Sequence, residues 1–135
     1  VMGDGGRSLS RTRGEGFTAR VWLENDGDAV PQTAAGARPA LARSRDVFEA
    51  DLPAGGLLVW TRAEYPPPDA CTKAAILVAP KAERPPPGDC LFLGRAALAQ
   101  GGAHAFFDDP VRPQTATQVH GDRPWTQVLA DERFQ

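Results

Sequence analysis

A chain of 135 residues with 41% apolar and 24% charged residues holds material for one compact core and none to spare for a second independent one. The formal net charge of -2 provides no overall field to draw in a polyanion, and no apolar run approaches the length of a membrane span. The opening stretch VMGDGGRSLSRTRGEG lacks the apolar centre of a secretory leader, so the sequence reads as a soluble, cytoplasmic chain.

In chain order, residues 1–16 are glycine-rich and polar, with Arg7, Arg11 and Arg13 scattered through them, and read as a disordered N-terminal segment. Phe17, Ala19, Val21 and Leu23 alternate with polar or exposed-type residues, which predicts a strand with one buried face; the same residues also fit two helical turns. Asn25 to Asp28 form a turn signal, and the stretch to Arg45 reads as loop with a helical turn near Ala40 to Arg43. Strands are predicted at Val47 to Leu52 and Leu57 to Thr61, the second a continuous apolar run of the kind that is covered on both faces. The prolines at 66–68 delay any helix to Asp69, an N-cap residue for Ala70 to Ala74, and Ala75 to Ala79 is the next buried strand.

After a proline-rich loop, Cys90 to Phe107 predicts a strand, a short helix stopped by Gly101 and Gly102, and a second strand. Asp108 to Pro110 read as a turn, Thr115 to His120 as an edge or closing strand, and residues 126–135 as a tail. From residue 57 onward this order favours an α/β fold, with residues 17–125 as one small α/β domain or domain fragment.

Candidate chemistry is sparse. Cys71, Cys90, His104 and His120 are the zinc-ligand types at hand, and none has the close spacing that zinc sites use, so no metal is assigned. Cys71 and Cys90 permit a single pairing; each reads as a small buried thiol, with a disulfide as the alternative. Asp108 and Asp109 directly follow a strand, where α/β proteins place active carboxylates, and with His104 they are the candidate site residues; the competing reading is a solvated turn and a core histidine. Asp26 and Asp28 also read as turn carboxylates, with divalent-cation binding as the alternative. Arg123 beside Trp125 offers either a stacking platform for nucleic acid or an anchor for the tail. No phosphate-cradling glycine loop or nucleophile elbow occurs, and no cofactor is assigned.

The segments FTARVWLENDGD, DACTKAAILVAP, CLFLGRAALAQGGAHAFF and HGDRPW resemble, in that order, the C-terminal part of the ComEC/Rec2 family of DNA internalisation (competence) proteins. In that family a membrane channel passes single-stranded DNA and a metallo-β-lactamase-like domain is regarded as the nuclease or phosphodiesterase. The resemblance implies an incomplete mixed-sheet α/β layer, like the C-terminal half of an αββα hydrolase domain, without channel helices. It also implies no catalytic residue here, since the HxHxDH metal motif of the family has no counterpart in this sequence. One departure stands out: ARSRDVFEADLPAG occupies a place where many relatives carry a cysteine-containing segment. The expectation is therefore a non-catalytic fragment on the cytoplasmic side of the inner membrane. Its partners would be the remainder of the channel protein, nucleic acid through Arg123 and Trp125, or a second copy through an exposed apolar face. The alternative is a free-standing structural or protein-interaction domain.

Overall fold

A computed structural model of the chain describes residues 1–14, 16–53, 55–107 and 112–121. The chain divides into two compact units, Val1–Ala50 and Asp51–Gln135, where the length alone suggested a single core. Among the described residues the architecture is mixed α/β, built on a five-stranded mixed sheet of order β3-β4-β5-β6-β7, with two separate two-stranded ladders.

The first unit opens with strands β1 (Met2–Gly3) and β2 (Gly6–Arg7), an antiparallel ladder in a stretch that composition marks as disordered. Its order derives from Leu9, which is buried with Ala19, Leu23 and Ala35, with Val30 packed against them. The Leu9 N–H also donates to the Ala35 carbonyl at 3.2 Å. One large apolar residue thus anchors a polar segment, a contribution that composition averages away.

Residues Gly16–Asn25 form helix α1, not the predicted strand. The segment satisfies both periods, and the packing decides between them. Ala19 and Leu23, four apart, share the buried stripe, whereas Phe17 is 73% exposed, which a strand burying Phe17, Ala19, Val21 and Leu23 together would not allow. Helical spacing also sets Arg20 against Glu24 at 3.7 Å and places the Arg20 guanidinium 5.8 Å from the Phe17 ring centre. The helix stops in a Schellman motif: Gly27 N–H donates to the Glu24 carbonyl at 3.0 Å and Asp28 N–H to the Leu23 carbonyl at 2.8 Å. Gly27 has φ +70°, the left-handed conformation this stop requires.

Helix α2 (Gln32–Gly36) begins directly after Pro31, whose carbonyl accepts from the Ala34 and Ala35 N–H groups. The helical turn expected near Ala40 to Arg43 is therefore displaced toward the N-terminus. Residues Ala42–Ser44 instead form β3, antiparallel to β4 (Val47–Asp51), with Ser44 opposite Val47 and a turn at Arg45 and Asp46. The pairing partner was what sequence periodicity did not supply.

In the second unit, β5 (Leu57–Thr61), β6 (Ile76–Val78) and β7 (Leu91–Leu93) run parallel, with Val59 opposite Leu77 and Leu77 opposite Phe92. Helix α3 (Ala70–Lys73) lies in the β5 to β6 connection, as the prolines and Asp69 predict. Asp69 caps through its backbone, its carbonyl accepting from Thr72 N–H, Lys73 N–H and the Thr72 hydroxyl at 2.8 to 3.1 Å. The buried set is narrow and rich in small residues: Leu77, Ala79 and Ala82 are fully buried, and Ile76, Thr61, Cys71 and Leu93 nearly so.

Cys71 and Cys90 form a disulfide with Cα atoms 5.0 Å apart, which corrects the reading of both as free buried thiols. The cause is topological. Cys71 sits on α3, just before β6, and Cys90 immediately precedes β7; the register that puts Ile76 opposite Leu91 brings both cysteines to the same end of the sheet. Nothing in their spacing announces that register.

Past β7 the predicted strand, helix and strand are all present, as β7, α4 (Arg95–Gly101) and β8 (His104–Phe107). They do not make one layer. A parallel crossover needs about a dozen residues or more, and α4 with its glycine stop falls short, so β8 leaves the sheet and pairs antiparallel with β9 (Arg112–Thr115). The strand expected over Thr115 to His120 is instead helix α5 (Ala116–His120). Thr115 ends β9 and caps α5: its hydroxyl accepts from Gln118 N–H at 3.1 Å while the Gln118 side chain accepts from Thr115 N–H at 2.9 Å. This reciprocal capping box outweighs the short alternation that suggested a strand.

Candidate functional site

The most structured polar cluster lies at the C-terminal end of α1. The Schellman turn directs two carboxylates outward, and each meets an arginine from elsewhere in the first unit. Arg7 donates from Nε and Nη2 to the two oxygens of Asp26 at 2.5 and 2.9 Å, a bidentate pair. Arg38 donates from Nη1 to Asp28 Oδ2 at 2.6 Å and to the Arg7 carbonyl at 2.8 Å, so one guanidinium links the second carboxylate to β2. Asp28 Oδ1 also accepts from Val30 N–H at 3.4 Å. Trp22 lies against this cluster, its ring centre 5.8 Å from the Arg7 guanidinium carbon.

This geometry speaks against the divalent-cation alternative for Asp26 and Asp28, because guanidinium groups already occupy the positions a metal would take. Hydrogen bonds from Arg7 and Arg38 hold the two carboxyl groups below their ordinary value of 3.8. A depressed folded-state value contributes stability that is fully present above 3.8 and is lost as pH falls through the folded value. Urea midpoints are therefore expected to fall on acidification below about pH 4, and an Asp26→Asn, Asp28→Asn double variant to show a shallower fall. An unchanged acid limb in the double variant would assign acid sensitivity to other groups.

His104 stands on β8 opposite Thr115, half-buried, with Nδ1 2.8 Å from the Gly102 carbonyl oxygen. Its ring lies against Gly101, close enough that a Cβ there would meet Cε1 at 2.7 Å. The position orients the ring toward the end of α4. Asp108, Asp109, Arg123 and Trp125, the other sequence candidates, lie outside the described residues. His120 closes α5 and is exposed. Among the described residues no group of three His, Cys, Asp or Glu side chains converges as a metal site would require.

The carboxyl ends of β5, β6 and β7 are where a parallel sheet ordinarily holds a ligand. Here the polar groups at that end bond to one another. Thr61 is buried, and its hydroxyl accepts from Ala63 N–H at 3.1 Å; Ala79 N–H donates to the Leu93 carbonyl at 2.9 Å. Ala82 N–H donates to the Ala79 carbonyl at 3.0 Å, and the Ala82 carbonyl accepts from Arg95 N–H at 2.9 Å, so the residues leading into α4 are tied back onto the preceding loop. Outside them, Arg95 pairs with exposed Glu83 at 3.6 Å.

Sequence reasoning missed Arg7 and Arg38 as the partners of the acidic turn. The one available signal was stoichiometric: two carboxylates around a glycine, flanked on both sides by arginines in stretches without periodicity. No protein-family model, no curated protein and no solved structure matches the chain. No helix among the described residues is long and apolar enough to cross a membrane.

Proposed function

We propose that this chain is a non-catalytic C-terminal piece of a DNA internalisation protein, contributing part of a metallo-β-lactamase-like domain and no catalytic residue of its own. The observation that supports the reading is the bonding at the carboxyl end of the parallel strands, where groups of Thr61, Ala79, Ala82 and Arg95 have partners within the chain. Two further features support it. The ComEC-like segments coincide with whole structural elements, DACTKAAILVAP with α3 and β6, and CLFLGRAALAQGGAHAFF with β7, α4 and β8. Exposed Phe17 and Trp22 on α1 are apolar area of the kind that a larger domain or a second copy covers.

On this reading the partner is the remainder of the channel protein, at the cytoplasmic face of the inner membrane, and contact with nucleic acid through Arg123 and Trp125 is secondary. The test has a genomic and a biochemical arm. An upstream reading frame encoding membrane helices and an HxHxDH segment is expected. The purified 135-residue chain is expected to show no turnover of single-stranded DNA or of a phosphodiester substrate with manganese present. Turnover abolished by Asp108→Ala would overturn the non-catalytic reading, and an upstream region lacking both features would overturn the family reading.

A further inference from the structure

The loop between β6 and β7 carries Pro85, Pro86, Pro87 and Gly88, and most of its residues are exposed. Prolines have no N–H to donate, so such a loop recruits little backbone bonding of its own. Its backbone hydrogen bonds sit at its ends, Ala82 N–H to the Ala79 carbonyl at 3.0 Å, the Ala82 carbonyl from Arg95 N–H at 2.9 Å, and Leu91 N–H to the Ala75 carbonyl at 2.9 Å, while Gly88 packs closely on the backbone of Cys71. Between those ends the covalent tie is the Cys71–Cys90 disulfide. Helix α3 has bonds of its own that do not involve the sulfurs, Lys73 N–H to the Asp69 carbonyl and Ala74 N–H to the Ala70 carbonyl. The two residues differ in exposure: Cys71 is 3% exposed and Cys90 is half-buried, which makes Cys90 the end nearer to an incoming thiolate.

We propose that Cys71–Cys90 is a redox-operated clasp that holds the proline-rich loop on α3, and that opening it frees the loop while β5, β6 and β7 stay paired. The proposal is independent of the family reading. The reductant is a dithiol. One of its thiolates attacks Sγ of Cys90, the bond between the two sulfurs breaks, and Cys71 leaves as a thiolate that takes up a proton. The second thiol of the reductant then resolves the mixed disulfide, so the dithiol becomes a disulfide and the cysteine pair gains two electrons and two protons. The disulfide joins buried Cys71 on α3 to half-buried Cys90 at the end of the loop, and a disulfide with one end near solvent is of the more reducible kind.

The test uses the full chain, isotopically labelled and followed by amide NMR in a dithiothreitol series. Without reductant, both cysteines should resist alkylation and the intact mass should be lower by two hydrogens. With reductant, both should alkylate, amides of Glu83, Arg84, Gly88, Asp89 and Cys90 should exchange roughly tenfold faster, and those of 57–61 and 76–78 should keep their chemical shifts. A Cys71→Ala, Cys90→Ala double variant should reproduce the reduced spectrum and ignore the reductant. Free thiols after incubation with oxidised glutathione would overturn the proposal, as would a loop indifferent to reduction. Loss of the β5 and β6 resonances on reduction, or an unfolded double variant, would make the disulfide a staple of the fold and would equally overturn it.

Discussion

Leu77→Ala is expected to lower the stability of the second unit by about 3–4 kcal/mol, read as a fall in the urea midpoint at unchanged slope. Leu77 is fully buried at the middle of β6, with Val59 opposite on one side and Phe92 on the other. The buried set of this unit includes Ala70, Ala74, Ala79 and Ala82, whose short side chains cannot swing inward to fill the space a truncated side chain leaves. Leu77→Ile, which retains the volume, should cost less than about 1.5 kcal/mol. A loss below about 1 kcal/mol for the alanine variant would mean that β6 is not the centre of this core.

The second large effect is expected at Gly88. Its φ of +134° is one that side-chain-bearing residues rarely adopt, and a Cβ there would lie 2.7 Å from both the carbonyl carbon and the carbonyl oxygen of Cys71. Gly88→Ala therefore combines backbone strain with an overlap against backbone atoms, a total of about 3 kcal/mol. Gly55→Ala separates the two contributions. Gly55 has φ +91° and no atom within 4 Å of a built Cβ, so only the conformational part applies, about 1–2 kcal/mol. Equal losses in the two variants would show that the loop yields at Cys71 and that the close approach has no energetic consequence.

How much of the fold was legible in the sequence depended on whether the deciding interaction was local. Leu57 to Thr61, Ala70 to Ala74 and Ala75 to Ala79 were readable because continuous apolar runs, a proline barrier and an N-cap residue act within a few residues of themselves. Phe17 to Leu23 was not, because seven residues satisfy both periods and the choice belongs to Leu9 and Ala35, which are distant in sequence. Thr115 to His120 was readable in principle: Thr115 and Gln118 stand at capping-box spacing, a signal that outranks a short alternation. The disulfide and the arginine partners of Asp26 and Asp28 depend on register and on the return of the chain, neither of which leaves a mark on composition. The candidate site was the least legible: Asp108 and Asp109 rested on position after a strand, Arg123 and Trp125 on an arginine standing beside a tryptophan, and all four fall outside the described residues.

The sheet ends, among the described residues, in two strands of three residues each, β3 at one margin and β7 at the other. A margin that short offers a foreign chain few backbone groups to copy, and β3 presents exposed Arg43 and Ser44 there. The protein's colloidal behaviour should reflect this. Where copies adhere, they should do so reversibly through aromatic side chains such as Phe17 and Trp22, whose association weakens in mild chaotrope, and not by growth of intermolecular strands that bind amyloid dyes.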